Sequence, residues 1–255
     1  MYTLVLLPLH RLNSPAVVEE DFVNLVANTC YKILESPLLS NARSKGTRDS
    51  WFQVLGTLVN RFNHGLSCSL KLVQLVTHFE HMSSTCAQGL ALMVTSYRTN
   101  NVVSEVVREI ANSDMGAVSS SARYYCQFLT ELTDLVPNAL VPSLPLIYNF
   151  LDNDSYCTRN CALSMMKSIV LKALSRENLD EKSRDVRDSC LDCLEEHMHD
   201  VNAFVRSKVR NIMFDWKWLL KMYNQLQDFR CQTWRQQTIP EMTSIYLMQD
   251  QVTVG

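Results

Sequence analysis

The sequence is poor in glycine and proline. Six glycines and seven prolines together make about 5% of the 255 residues, against roughly 12% in ordinary proteins. Hairpin sheets depend on these residues for their turns, so the scarcity argues against a β protein. With 47% hydrophobic and 20% charged residues, the chain has enough apolar material to fold. We expect a mostly helical protein.

Long apolar runs and nucleotide-binding motifs are also missing. The apolar stretch at residues 1–9 ends at His10 and Arg11, well short of the ~20 residues that cross a bilayer. No GxxxxGK[ST] or GxGxxG pattern is present, and these are the commonest phosphate-binding loops. We therefore predict no membrane partner, no cofactor, no small-molecule substrate and no enzymatic activity.

The chain as a whole carries little net charge, but its charge is unevenly distributed. Lys plus Arg number 24 and Asp plus Glu number 26, so no global basic field indicates a polyanion partner. Residues 201–240 nevertheless hold seven of the basic residues and only two of the acidic ones. Any nucleic-acid contact is expected in that part of the chain.

Two small basic clusters are candidates for such a contact. Lys208 and Arg210 lie on a predicted helix, and Arg43, Lys45 and Arg48 lie in a predicted polar loop over residues 40–48. Basic side chains on an accessible surface bind phosphates and position DNA without reading its sequence. We predict weak, salt-sensitive DNA contacts at these five residues.

Helical periodicity recurs along almost the whole chain. A first helix is predicted to start at Ser14 and Pro15, a capping hydroxyl followed by a residue that suits the first helical turn. Apolar residues at helical spacing predict its buried stripe, and a second helix ends at Asn63. The stripe comprises Val18, Phe22, Leu25, Thr29 and Ile33, and further patterns cover 51–62, 66–79, 84–97, 101–112, 119–136, 138–151, 155–174, 180–199 and 202–223. The pattern predicts about ten antiparallel helices in about five pairs.

Two of these helix pairs resemble each other. Asp152 precedes Arg159 by seven residues, and Asp200 precedes Arg206 by six. The two arginines are 47 residues apart, at the upper end of the ~40–47-residue period of HEAT and armadillo repeats. An aspartate in such a turn can cap the next helix, and the arginine can reach the turn of the neighbouring repeat. We therefore predict an all-α, HEAT-type α-solenoid.

Several segments resemble one HEAT-repeat family. The matching segments are 20–28, 78–81, 128–132, 151–160 and, as the longest ordered motif, 199–209. They resemble the condensin complex subunit 1 family over roughly residues 17–213, as an internal stretch of a longer family chain. Residues 214–255 leave the family pattern, so we divide the chain into a HEAT-repeat segment, 1–213, and a divergent C-terminal segment, 214–255, aberrant or truncated in origin.

The resemblance implies a function and a location. The family supplies a regulatory, non-catalytic subunit of condensin I, which binds the kleisin subunit and works with a pair of SMC ATPases to compact mitotic chromosomes. It implies kleisin, SMC and DNA or chromatin partners, and a place in the nucleus on chromosomes, or in the cytoplasm outside mitosis. The alternative is a HEAT adaptor of nuclear transport or phosphatase assembly that binds protein only.

Cysteine and histidine form one pattern with metal-ligand character. Cys190, Cys193, His197 and His199 are residue types that bind zinc. On a helix, however, the first three share the face of the core stripe, and His199 points elsewhere. We predict no metal site, and we expect the nine scattered cysteines to be buried thiols of a reducing compartment.

Overall fold

The computed structural model describes residues 10–14, 18–36, 42–115, 120–174 and 179–222. Within these ranges the chain is helical and contains no strand. The helices are α1 (Glu20–Leu34), α2 (Lys45–Phe62), α3 (Gly65–His78), α4 (Met82–Tyr97), α5 (Asn100–Ala111), α6 (Ser120–Leu135), α7 (Pro137–Leu140), α8 (Leu144–Asn149), α9 (Tyr156–Lys172), α10 (Glu181–Glu196) and α11 (Ala203–Met222). Most of the predicted helix boundaries agree with these bounds to within about three residues.

Proline divides one predicted helix into short pieces. The segment expected to be helical over 138–151 consists of α7, a 3-10 turn at Val141–Ser143, α8, and a 3-10 turn at Phe150–Asp152. Pro142 lies in the first 3-10 turn and Pro145 in the first turn of α8. A proline in a helix interior removes one hydrogen bond and clashes with the preceding turn. The chain therefore restarts its helix at each proline.

Helices contact their neighbours in an alternating order. One layer consists of α2, α4, α6 and α9, in which each helix packs on the next. In a second layer, α3 packs on α5, and α5 packs on α7 and α8. A chain that alternates between two layers and packs each helix pair on the following pair is an α-solenoid. The predicted all-α, HEAT-type fold is confirmed for this part of the chain.

The core of the first layer depends on a close approach between α2 and α4. Phe52 on α2 is fully buried, together with Leu55 and Leu90. Gly89 of α4 lies against the Phe52 ring, and a Cβ at position 89 would overlap that ring. Because glycine has no side chain, the two helices can pack at this separation.

The first helix differs from its prediction. It begins at Glu20 rather than at Ser14. Its buried residues include Val23, Cys30 and Leu34, whereas Leu25 is 64% exposed. The sequence of this helix contains two apolar stripes at helical spacing, one residue apart, and periodicity alone does not choose between them. The packing of α1 against α2 selects the stripe that starts at Val23.

The second helix begins earlier than expected and ends as expected. Residues Ala42–Ser44 form a 3-10 turn, and α2 starts at Lys45, so half of the predicted loop at 40–48 is helical. Asn63 follows the helix with a φ of 54°. That left-handed conformation ends many helices, and asparagine tolerates it better than most residues. The predicted end of α2 at Asn63 is therefore confirmed.

The chain divides into two compact units, residues 1–210 and 211–255. Of the second unit, the structure describes residues 211–222, which are helical. Most of the segment predicted to diverge, 214–255, lies outside the described residues, as does Cys231. The predicted boundary at residue 213 stays a prediction.

Candidate interaction surface at the repeat turns

The turn before α11 is organised by its own side chains. Asp200 Oδ1 accepts a hydrogen bond from the backbone N–H of Asn202 at 2.7 Å, and Asn202 Oδ1 accepts one from the N–H of Phe204 at 2.8 Å. Aspartate and asparagine favour such turns because their side chains replace the missing hydrogen-bond partners of the first helical amides. The two residues thereby fix where α11 begins.

Arg159 on α9 connects this turn to the preceding one. Its Nε donates to Asp200 Oδ2 at 2.9 Å and its Nη2 donates to Asp200 Oδ1 at 3.0 Å. Its Nη1 donates to the carbonyl oxygens of Asn153 at 2.7 Å and Asp154 at 3.0 Å. The side chains of Arg159 and Asp200 are only 9% and 7% exposed. A bidentate pair of this kind holds both groups in one orientation.

The charge of Asp200 depends on this pairing. Burial disfavours ionisation of the carboxyl group, but the hydrogen bonds from Arg159 and from the Asn202 amide outweigh it, and the pKa of Asp200 lies below its usual range. A carboxylate that accepts several hydrogen bonds is stabilised in its charged form. Asp200 is therefore ionised wherever the protein is folded at neutral pH.

Arg206 repeats half of the Arg159 arrangement. Its Nη1 donates to the carbonyl oxygens of Asp200 at 2.6 Å and Val201 at 3.0 Å, which precede it by six and five residues, as Asn153 and Asp154 precede Arg159. Within the described ranges, no carboxylate meets the Nε or Nη2 of Arg206. Arg206 therefore presents the two donors that Arg159 uses to bind Asp200.

Asn153, and not Asp152, occupies the position of Asp200 in the earlier turn. Asn153 Oδ1 accepts a hydrogen bond from the backbone N–H of Ser155 at 2.9 Å, as Asp200 does from Asn202. Asp152 is exposed in the preceding 3-10 turn. The sequence comparison paired the two aspartates by residue type. Counting the same number of residues back from each arginine would have pointed to Asn153.

An exposed apolar cluster lies beside these arginines. Val201 is 93% exposed and Phe204 is 69% exposed. The Phe204 ring stacks on the ring of Tyr156, with 5.8 Å between the ring centroids. Exposed aromatic and aliphatic side chains grouped together are typical of protein contact surfaces. We call Tyr156, Val201, Phe204 and Arg206 the turn surface.

The predicted basic residues have unequal access to solvent. Arg210 on α11 is exposed and Lys208 is half-buried, while Arg43 and Lys45 are exposed around the start of α2. Arg48 is buried, at 6% exposure. Because α2 already begins at Lys45, Arg48 lies one turn into the helix, on the side that faces α4. The expectation that Arg48 is accessible to a polyanion is therefore wrong.

Comparison with known proteins identifies a family. The family model described as "non-SMC mitotic condensation complex subunit 1, N-term" matches residues 1–68. Condensin complex subunit 1 of Xenopus laevis is 40% identical over 212 residues, 82% of this chain and 16% of that protein. The human protein of the same name is 37% identical over 81% of this chain and 15% of its own length. Over the matched part of its length, the chain belongs to the condensin complex subunit 1 family.

The chain spans about a sixth of the length of these relatives, as expected for a segment of a longer family chain. The family match also includes residues 1–16, which lie before the start of the resemblance seen in the sequence. A designed armadillo repeat protein in complex with the peptide (KR)4 is a structural neighbour, with a TM-score of 0.38, 11% identity and coverage of 81% of this chain and 96% of that one.

In this condensin subunit 1 relative, a second set of polar contacts joins successive helix pairs. Arg48 Nη2 on α2 donates to Gln88 Oε1 on α4 at 3.3 Å. Gln88 Nε2 and Ser84 Oγ donate to Glu131 Oε1 on α6 at 2.9 and 2.7 Å. Sequence analysis missed this chain of contacts. The feature of the sequence that could have indicated these contacts is the spacing of the residues, which is close to one repeat period.

The residues that resembled a zinc pattern have other contacts in this family member. Cys190 is buried, with its sulfur 3.2 Å from the hydroxyl oxygen of Tyr148. The Nδ1 of His197 lies 2.8 Å from the carbonyl oxygen of Cys193, within its own helix turn. Across the part of the chain that the structure describes, no group of three or more His, Cys, Asp or Glu residues is placed to hold a metal ion. In the same ranges, no helix has the length and apolarity to span a membrane.

The cysteines within the described ranges are free thiols. Five of them are buried, but Cys126 and Cys193 are half-buried and Cys157 is exposed. The expectation that the cysteines are uniformly buried is therefore wrong. Cys157 lies in the first turn of α9, where the helix has just left an interhelical turn.

Proposed function

We propose that this chain is a repeat segment of a condensin non-SMC subunit that acts as a non-catalytic scaffold on chromosomes. The observation that carries this proposal is the identity of 35–40% with condensin complex subunit 1 over four-fifths of the chain. The partners we propose are the kleisin and SMC subunits, and the location is the nucleus and its chromosomes. Catalysis would then belong to the partner subunits.

The turn surface is the part of this scaffold that we propose to contact a protein partner. The open Nε and Nη2 donors of Arg206 suit a carboxylate, and the stacked rings of Tyr156 and Phe204 suit an apolar side chain. The internal pairing of Arg159 with Asp200 shows how this protein binds a carboxylate at the equivalent position. A partner segment that carries an aspartate or glutamate next to an apolar residue fits both features.

A reconstitution experiment tests the scaffold proposal. The full chain is mixed with kleisin and SMC subunits, and complexes are separated by size-exclusion chromatography. We expect the chain to co-elute with kleisin, and we expect the double substitution V201S/F204S to reduce the co-eluting amount at least 5-fold. L25S is the matched control, because Leu25 is a similarly exposed apolar residue on α1. Failure of the wild-type chain to co-elute with any of these subunits would overturn the proposal.

DNA contact is the second part of the proposed function. Lys208 and Arg210 on α11, with Arg43 and Lys45 at the start of α2, are the residues we propose to meet phosphates. The logarithm of the binding constant falls linearly with the logarithm of the salt concentration, and each neutralised phosphate adds about 0.9 to the steepness of that slope. Charge reversal at Lys208 and Arg210 is therefore expected to weaken duplex binding in a mobility shift at low salt and to lower the salt slope by about 2.

The control for this charge reversal changes the same number of charges elsewhere. Lys182 and Arg184 are exposed on α10, and K182E/R184E reverses two charges as K208E/R210E does. The proposal predicts that only K208E/R210E weakens DNA binding. Equal effects of the two variants would indicate that the affinity follows net charge rather than a contact site, and no effect of either would also contradict the proposal.

A further inference from the structure

A groove of about 480 Å³ lies between α6 and α9 and is open to solvent. Three cysteines are among its lining residues: Cys126 on α6, and Cys157 and Cys161 on α9. Polar side chains of Thr130, Glu131 and Asn160 line it as well. The predicted function of the chain uses none of these thiols. Three thiols at one open groove form a candidate site for covalent chemistry of sulfur.

Two of the three cysteines, Cys126 and Cys161, contact each other across the two helices. Cys161 Sγ lies 3.5 Å from the carbonyl oxygen of Cys126, and Cys126 Sγ lies 3.9 Å from the carbonyl oxygen of Cys157, one turn before Cys161 on α9. Thr130 Oγ1 lies 3.6 Å from Cys161 Sγ. Cys126 is half-buried at the groove, whereas Cys161 is buried beneath it. Of these two sulfurs, that of Cys126 is therefore the more accessible to a reagent in the groove.

The ionisation of Cys126 differs from that of the other described cysteines. The neighbouring Cys161 side chain is the main cause that holds the pKa of Cys126 below its ordinary value. Burial, in contrast, raises the pKa of Cys30 and Cys68 to about 12 and that of Cys190 to about 11. The thiolate is the nucleophile in disulfide exchange. We therefore expect the Cys126 sulfur to be more reactive than those of these three buried cysteines.

We propose that Cys126 is a site of thiol–disulfide exchange with small disulfides such as glutathione disulfide, and that Cys161 resolves the adduct. In the first step, the Cys126 thiolate attacks one sulfur of glutathione disulfide, and one glutathione leaves as its thiolate. In the second step, Cys161 loses its proton to solvent and attacks the Cys126 sulfur, and the second glutathione leaves. The glutathione disulfide is reduced to two glutathione molecules, and the protein gains a Cys126–Cys161 disulfide between α6 and α9.

The exposed Cys157 is the competing site. Its exposure allows a mixed disulfide to form there. Among the contacts of the described residues, Cys126 Sγ meets the backbone carbonyl oxygen of Cys157, at 3.9 Å, and no thiol meets the Cys157 sulfur. An adduct at Cys157 would therefore persist, whereas an adduct at Cys126 would be converted to the protein disulfide. The identity of the final product distinguishes the two sites.

The test uses the full chain with glutathione disulfide at pH 7, followed by alkylation and non-reducing peptide mapping. In the wild-type chain we expect the Cys126–Cys161 disulfide as the main product. In C161S we expect a persistent glutathione adduct at Cys126, and in C126S no disulfide that includes Cys161. The control C157S should give the wild-type product. A wild-type chain that carries glutathione only at Cys157, or no Cys126–Cys161 disulfide, would overturn the proposal.

A second measurement needs no variant and guards against misfolded mutants. The wild-type chain is alkylated with limiting iodoacetamide across pH 6–9, and the rate at each cysteine is read by mass spectrometry. We expect Cys126 to be alkylated faster than Cys157 below pH 8, because the pKa of Cys126 lies below its ordinary value and the thiolate is the form that reacts. Slower alkylation at Cys126 than at Cys157 over this whole range would contradict the proposed role of Cys126.

Discussion

Removal of the Arg159 guanidinium should destabilise the described solenoid more than removal of other arginines. Arg159→Ala deletes the two donors that pair with Asp200 and leaves an ionised carboxylate that is 7% exposed. It also leaves the carbonyl oxygens of Asn153 and Asp154 without their Nη1 donor. Breaking a buried pair by removing one partner costs about 3–5 kcal/mol. Because both side chains are so little exposed, solvent screening reduces this figure only slightly.

The assay is urea unfolding of the full chain at pH 7. We expect the free energy of unfolding to fall by about 3–5 kcal/mol in R159A, a large part of a typical stability of about 5–15 kcal/mol. Arg108→Ala is the control, because Arg108 pairs with Glu105 at 2.9 Å but is 55% exposed. Such a surface pair contributes at most about 0.5 kcal/mol. A loss below about 1 kcal/mol in R159A would refute the reasoning from burial.

The pairing can also be separated from general damage at the turn. Asp200→Asn keeps an acceptor for the Asn202 amide but removes the charge, and the double variant R159A/D200N leaves no buried charge unpaired. The summed losses of unfolding free energy in the two single variants should therefore exceed the loss in the double variant by a coupling energy of about 1–3 kcal/mol. Strictly additive losses would show that Arg159 and Asp200 act independently.

Three further predictions concern packing and pH. Gly89→Ala should cost about 1–3 kcal/mol because its Cβ overlaps the buried Phe52 ring, whereas in Gly65→Ala the nearest atom is 3.7 Å away and thermal unfolding should show no loss. Arg48→Met should lower the free energy of unfolding by about 1–3 kcal/mol, because it leaves Gln88 Oε1 without its donor. A change smaller than about 0.3 kcal/mol would contradict the buried contact. The stability difference between wild type and D200N should persist from pH 7 to about pH 5 and shrink as the pH falls below about 4, because the folded pKa of Asp200 lies below the unfolded value.

Local patterns in the sequence were sufficient to predict most helices and their pairing into repeats. Apolar spacing, the capping residues and the few prolines act over a single turn or two of helix, so they can be read without knowing the fold. The helix boundaries of α3 to α6 and α9 to α11 agree with those patterns. The Asn63 end of α2 was visible for the same reason.

The contacts between helices were harder to predict, because they depend on which face each helix turns towards its neighbour. Arg48 looked like a surface cation, but the packing of α2 on α4 buries it against Gln88. Cys126 and Cys161 are far apart in sequence and meet only because α6 packs on α9. No local pattern contains that information, since neither helix changes its own periodicity when the partner is present.

The scarcity of glycine and proline, together with the regular apolar spacing, determined that this chain is helical and repetitive. Resemblance in the segments around Arg159 and Arg206 determined the family. Tertiary structure alone decided which stripe of α1 is buried and that Arg206 keeps two donors open. Those outcomes follow from the packing of one helix pair on the next, which places side chains together that are about one repeat apart along the chain.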